Sequence, residues 1–134
     1  MKELVKIHKV LADESRLRVL NLFMESSCCV CEVMQVLDIS QSKASRILTA
    51  LHDTGILEVR REGLWAVYFI DGDTMRPVVK AIVEATTAAF AADPQMVADR
   101  ERLKQAERVG PACARGMCRN RPEATRLEQP GQME

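Results

Sequence analysis

The stretch from Asp38 to Ile70 constrains the fold more than any other part of this chain. Asp38, Ile39 and Ser40 interrupt the apolar pattern, and Ser40 is a good helix N-cap. Ala44, Ile47, Leu48 and Leu51 then recur at helical spacing, so the sequence predicts an amphipathic helix over residues 40–52. Gly55 stands where a helix end wants a left-handed residue. Beyond it, residues 56–61 and 64–70 are rich in β-branched and aromatic side chains, and Glu62 and Gly63 lie between them as a tight-turn signal. That pattern predicts a β-hairpin.

The flanking segments are helical. Leu4, Ile7, Val10 and Leu11 mark a helix over residues 2–12. Asp13 caps a second helix, residues 14–24, and residues 26–29 read as a short break. Val30, Val33, Met34 and Leu37 give a short third helix. After the hairpin, residues 75–90 form a fifth, with Val78, Val79, Ile82, Val83, Thr86 and Phe90 on one stripe, and Pro94 starts a more polar sixth that runs to about residue 109. The expected fold is mainly α with a β-hairpin, a winged helix-turn-helix, dimeric, with a C-terminal helix and a flexible tail. Residues 1–92 read as the DNA-binding and dimerisation domain, 93–110 as the C-terminal helix, and 111–134 as the Cys- and Arg-containing tail.

Function follows from the outer face of the fourth helix. Gln41, Ser42, Lys43, Ser45, Arg46, Thr49 and His52 lie off its apolar stripe, with no acidic residue before Asp53. Short hydroxyls, an amide and an arginine are what a major-groove helix uses on base edges and phosphates. Ser40 and Gln41 sit at its N-terminus, where free N–H groups and the helix dipole favour phosphate. Arg60 and Arg61, just before the hairpin turn, are placed to meet the DNA backbone or minor groove. Charge supports a local contact rather than a coating protein. The chain is neutral overall, and residues 1–99 carry 11 basic and 14 acidic side chains.

The first and fifth helices carry more apolar surface than a small core needs. Leu4, Ile7 and Leu11 are therefore expected to meet Val79, Ile82, Val83 and Phe90, partly across a two-fold interface. Five cysteines, an odd number, stand at 28, 29, 31, 113 and 118 with no secretion signal before them. Reduced thiols in a cytoplasmic protein, serving a soft metal site or a redox switch, fit that count better than a disulfide framework. No Gly-rich phosphate loop and no His near a Cys in sequence supports an enzyme.

Several linked motifs, in order, resemble the ArsR/SmtB family of metal-responsive repressors over about residues 5–90. Leu11 to Leu20, LADESRLRVL, resembles the family's entry to its second helix. Cys29-Val30-Cys31-Glu32-Val33 resembles the cysteine motif of its arsenic-sensing branch. Ser40 to Leu48, SQSKASRIL, resembles its reading helix, and Gly55 to Gly63, GILEVRREG, followed by Trp65 and Tyr68, resembles its wing. The resemblance implies a homodimeric repressor that leaves operator DNA when an inducer binds. Three positions depart from the family pattern. Ile47 stands where a His is common, Leu64 where a basic wing residue is common, and Met34 where many arsenic sensors have a third Cys.

The resemblance makes Cys28, Cys29 and Cys31 the candidate ligands of As(III) or Sb(III), which favour sulfur. Cys113 and Cys118 are candidates for additional ligands, and a methylated arsenite is an alternative inducer. On a regular helix Cys28 and Cys31 would share a face and Cys29 would point away. Convergence of the three sulfurs then requires an irregular or labile start to the third helix. A thiol-based redox or sulfide-responsive repressor is the alternative use of the same cysteines.

Overall fold

A computed structural model describes residues 1–108, and its elements follow the predicted order with one addition. They are α1 (Lys2–Leu11), α2 (Glu14–Leu22), β1 (Cys28–Cys29), α3 (Val30–Leu37), α4 (Gln41–Asp53), β2 (Glu58–Glu62), β3 (Trp65–Phe69), α5 (Pro77–Ala88) and α6 (Pro94–Gln105). The molecule is mainly helical with a small antiparallel β-hairpin, a winged helix-turn-helix. The tail from 111 onward, with Cys113 and Cys118, lies outside the described residues.

Local chemistry accounts for most boundaries. The Asp13 carboxylate accepts from the Arg16 N–H at 3.0 Å and starts α2. Asp93 does the same for the N–H groups of Gln95 and Met96 at the head of α6, whose first residue is Pro94. The turn from α3 into α4 is tight because Asp38 takes a left-handed conformation (φ 57°, ψ 53°), and its N–H is held by the Met34 carbonyl at 2.8 Å. Ser40 Oγ then accepts from the Lys43 N–H at 3.1 Å. At the far end of α4 the Gly55 N–H bonds the His52 carbonyl and the Ile56 N–H bonds the Leu51 carbonyl, 3.0 and 3.1 Å. Gly55 sits at φ +84° and Ile56 and Leu51 are both buried, a complete Schellman stop. Gly55→Ala places a Cβ in open space but forces alanine into the left-handed region. Its expected cost, read from urea midpoints, is about 1 kcal/mol.

The missed element is β1. Cys28 and Cys29, expected in a break, pair with Tyr68 and Val67, making a three-stranded sheet in the order β1-β3-β2. Two residues are too few to show a period of two, so this strand leaves no trace in the pattern. The hairpin turn is displaced by one residue. Glu62 pairs with Trp65, leaving Gly63 and Leu64 at the tip. Gly63 has φ +65° and Leu64 does not go positive, the sign pattern of a type II′ turn with glycine first.

One core runs through the chain, with Leu20, Leu22, Val33, Leu48, Leu51, Ile56, Leu57 and Leu103 among its buried members. Helix α6 covers α2 and α3. Leu103 and Met96 enter the core, and the buried Asp99 accepts from Arg18 Nε and Nη2 at 2.7 and 3.0 Å. Asn21, also buried, donates to the Met96 carbonyl at 2.9 Å and accepts from Arg100. α6 ends at Gln105, earlier than expected, because the Gln35 side chain binds both backbone groups of Glu107 and holds that stretch extended.

This packing corrects the expected division between core and interface. Ile7, Leu11, Val79, Val83 and Phe90 are buried within a single chain. They join the same core cluster as the buried residues of α2, α3 and α4. Of the expected interface residues, Leu4 and Ile82 keep part of their surface, and Val5 and Val78, adjacent on the same helices, are exposed. Among the described residues no helix is long and apolar enough to cross a membrane.

Candidate nucleic-acid interface and thiol site

The apolar stripe of α4 fixes which side chains it offers outward. Ala44, Ile47, Leu48 and Leu51 are buried, so Ser42, Lys43, Arg46 and Thr49 are exposed along the opposite face, with Ser40 exposed at the cap. Gln41 and Ser45 are half-buried and hydrogen-bonded to each other at 3.1 Å, which orders that pair before any ligand arrives. Lys43 and Arg46 line a polar pocket of about 260 Å³ together with Asp13, Ser15 and Arg16. Arg16 is a cation that sequence reasoning left out. It belongs to α2, far from the helix-turn-helix in sequence, and no pattern places it beside α4.

On the wing, Arg60 and Arg61 are both exposed. They are not equivalent. Arg60 pairs with Glu62 at 2.6 Å and lies over the Phe69 ring at 4.7 Å, so part of its charge is already answered. Leu64 projects from the tip, 75% exposed. Trp65 and Tyr68 are half-buried beneath the wing, as packing residues would be.

The cysteines sort in a way the helical wheel did not foresee. Cys29 is the N-cap of α3, with extended backbone (φ −96°, ψ 173°), and only Cys31 is inside the helix. The divergence of Cys29 from Cys31 expected on a regular helix therefore does not apply, and their sulfurs stand 3.0 Å apart, both residues buried at 3% and 2% exposure. Met34 packs against the pair. Cys28, the strand neighbour of Cys29, faces the other way, as alternate strand residues must. It joins the main core, its thiol 3.5 Å from the Ser26 carbonyl. Among the described residues no group of three His, Cys, Asp or Glu side chains is gathered to hold a metal ion.

Burial pushes the Cys29 thiol well above its ordinary value of 9.0, and the Cys31 hydrogen bond and the Glu32 carboxylate push it the same way. The Cys29 thiol is thus protonated at neutral pH. A thiol whose pKa is raised by folding contributes its full stability below 9.0. Above that value the unfolded chain ionises first and stability falls, by up to about 1.4 kcal/mol per pH unit for one proton. Urea midpoints are expected to drop less steeply above pH 9.0 in Cys29→Ser than in the natural chain, and parallel slopes would contradict the assignment.

The profile of the arsR family of bacterial regulatory proteins matches residues 13–59. The chain is 35% identical over 97 residues to the arsenic resistance transcriptional regulator ArsR1 of Pseudomonas putida, covering 69% of this chain and 76% of that one. It is 38% identical over 82 residues to the arsenical resistance operon repressor of Escherichia coli, covering 60% and 70%. Among solved structures it resembles the homodimeric winged helix-turn-helix DNA-binding domain of a possible ArsR-family transcriptional regulator from Mycobacterium bovis. That match has 26% identity and a TM-score of 0.55, and covers 69% of this chain and 83% of the other.

Proposed function

The chain belongs to the arsR family of bacterial regulatory proteins, and on that premise we propose that it is a cytoplasmic repressor that binds operator DNA as a homodimer and leaves it when trivalent arsenic or antimony is held by Cys29 and Cys31. The observation that carries this reading is the buried sulfur pair, 3.0 Å apart, at the first turn of the helix that precedes α4. A soft ion bridging two sulfurs so placed would act directly on the element that supports the reading helix.

The raised thiol pKa favours arsenite over a divalent cation. A divalent ion must expel both thiol protons into solution, which burial makes costly. Arsenious acid carries hydroxide groups, and each one leaves as water with a thiol proton. Two arsenic–oxygen and two sulfur–hydrogen bonds are exchanged for two arsenic–sulfur bonds and two waters, with no net proton release. The third position on arsenic then keeps its hydroxide, or a methyl group in a methylated arsenite. Cys28 has no part in this site because its side chain lies on the other face of β1.

DNA binding falls to Ser40, Gln41, Ser42, Lys43, Ser45, Arg46 and Thr49 of the reading helix and to Arg60 and Arg61 of the wing, with Arg16 added at the shared pocket. Self-association uses the surface the core leaves over: Met1, Leu4 and Val5 beside the grooves flanking α1, and Val78 and Ile82 on α5. The test is a gel shift on DNA upstream of the chain's own gene, with arsenite, methylarsenite, zinc and peroxide compared under reducing conditions. Release by arsenite or methylarsenite and not by zinc is expected. Release by peroxide alone would transfer the role to thiol oxidation.

A further inference from the structure

The chain beyond α6 turns inward. Ala106 is extended (φ −71°, ψ 154°), and Gln35 on α3 clasps Glu107 by donating to its carbonyl at 2.7 Å and accepting from its N–H at 3.0 Å. The clasp drives Arg108 into the interior, where it is 1% exposed. Its Nε and Nη2 face Glu32 Oε1 at 3.4 and 3.3 Å, its Nη1 donates to Glu62 Oε1 at 3.2 Å, and its guanidinium lies 5.6 Å from the centre of the Trp65 ring.

Each carboxylate reaches one step further. Glu32, fully buried, accepts the Cys29 N–H at 2.9 Å through the same oxygen that faces Arg108. Glu62 gives its other oxygen to Arg60. One buried cation therefore joins the thiol-bearing start of α3 to the turn end of the wing. Buried ion pairs are poor sources of stability, since taking the charges out of water costs about as much as their attraction returns. A guanidinium divided between carboxylates on two elements is, however, sensitive to movement of either one.

We propose that Arg108 is a positioning residue that couples the state of the Cys29–Cys31 pair to the wing. The coupling rests on reading that pair as the inducer site. Drawing the two sulfurs onto a common ion moves the Cys29 backbone, whose N–H is fixed by Glu32. Glu32 passes the shift to Arg108, and Arg108 passes it to Glu62, which holds the basic arm Arg60. The reading helix and the wing then both respond to one binding event, and by reciprocity a change at the wing is felt at the thiols.

That reciprocity supplies a test needing no arsenic. Glu62→Gln keeps the shape of a half-exposed side chain and removes the charge that Arg108 shares. Amide hydrogen exchange in the full chain is expected to quicken about 5-fold or more at Cys29, although position 62 is on another element. Exchange at Cys29 unchanged from the natural chain overturns the coupling. Arg108→Gln is the second variant, expected to speed exchange at both residues 28–32 and residues 58–69. Loosening of one region alone is the contrary result.

With arsenite added, the natural chain is expected to show faster wing exchange. Glu62→Gln is expected to bind arsenite with equal stoichiometry, by mass spectrometry of the intact protein, yet to show no arsenite-driven change in the wing. A full wing response in Glu62→Gln would also overturn the coupling. A natural chain that binds no arsenite would instead refute the inducer assignment, while the metal-free exchange still decides the role of Arg108.

Discussion

Cys29→Ser and Cys31→Ser are each expected to bind operator as tightly as the natural chain and to lose arsenite-driven release, whereas Cys28→Ser keeps it. Two sulfurs 3.0 Å apart bind one ion as a chelate, because the second bond forms within the molecule at high effective concentration. Losing either partner forfeits a gain on the order of 10²- to 10⁴-fold in affinity. Serine replaces a soft donor with a hard one and does not restore it. Cys28 lies in the main core, so its serine variant should cost some stability but leave the inducer response in place. The measurement is operator occupancy by fluorescence anisotropy against arsenite concentration. Loss of response in Cys28→Ser with retention in Cys29→Ser would reverse the assignment.

How much of this could be read in the chain before its structure depended on how local the cause was. Ser40, Gly55 and Pro94 act on their own neighbours, and each predicted boundary holds at the residue that chemistry marks. The buried stripe of α4 is likewise a one-helix property, so the exposure of Ser42, Lys43, Arg46 and Thr49 opposite it was legible, though not the half-burial of Gln41 and Ser45. The thiol pair was only half legible. Its residue types are a local pattern, but the direction of Cys29 is set by pairing with Val67, more than thirty residues away, which takes it out of the helix. The same pairing, of Cys28 with Tyr68, turns Cys28 to the other face and into the main core. Arg108 left no signal at all, since an arginine after a polar helix reads as solvated surface. Its burial follows from the Gln35 clasp on Glu107, which only the folded chain brings together. The burial of Ile7, Leu11, Val79, Val83 and Phe90 within one chain was not legible either, because an apolar stripe does not say which surface covers it.

The wing and reading helix differ in how available their cations are, and that difference fixes a second large effect. Lys43 and Arg46 are exposed and, although Asp13 lines the same pocket, neither is in an ion pair among the described residues, whereas Arg60 is already paired with Glu62. Residues 1–99 carry more acidic than basic side chains, so operator affinity cannot come from bulk charge and must rest on these few groups. Arg46→Ala is expected to weaken operator binding by about 1–3 kcal/mol, roughly 5- to 150-fold. Lys43→Ala should weaken specific and random DNA alike and lower the salt slope by about 1. Arg60→Ala should cost less than Arg61→Ala, because the Glu62 carboxylate already answers part of the Arg60 charge that DNA would otherwise meet. Anisotropy titrations on operator and random duplexes at several salt concentrations separate these contributions. Operator affinity in Arg46→Ala equal to that of the natural chain would remove α4 from the interface and leave the wing to explain recognition alone.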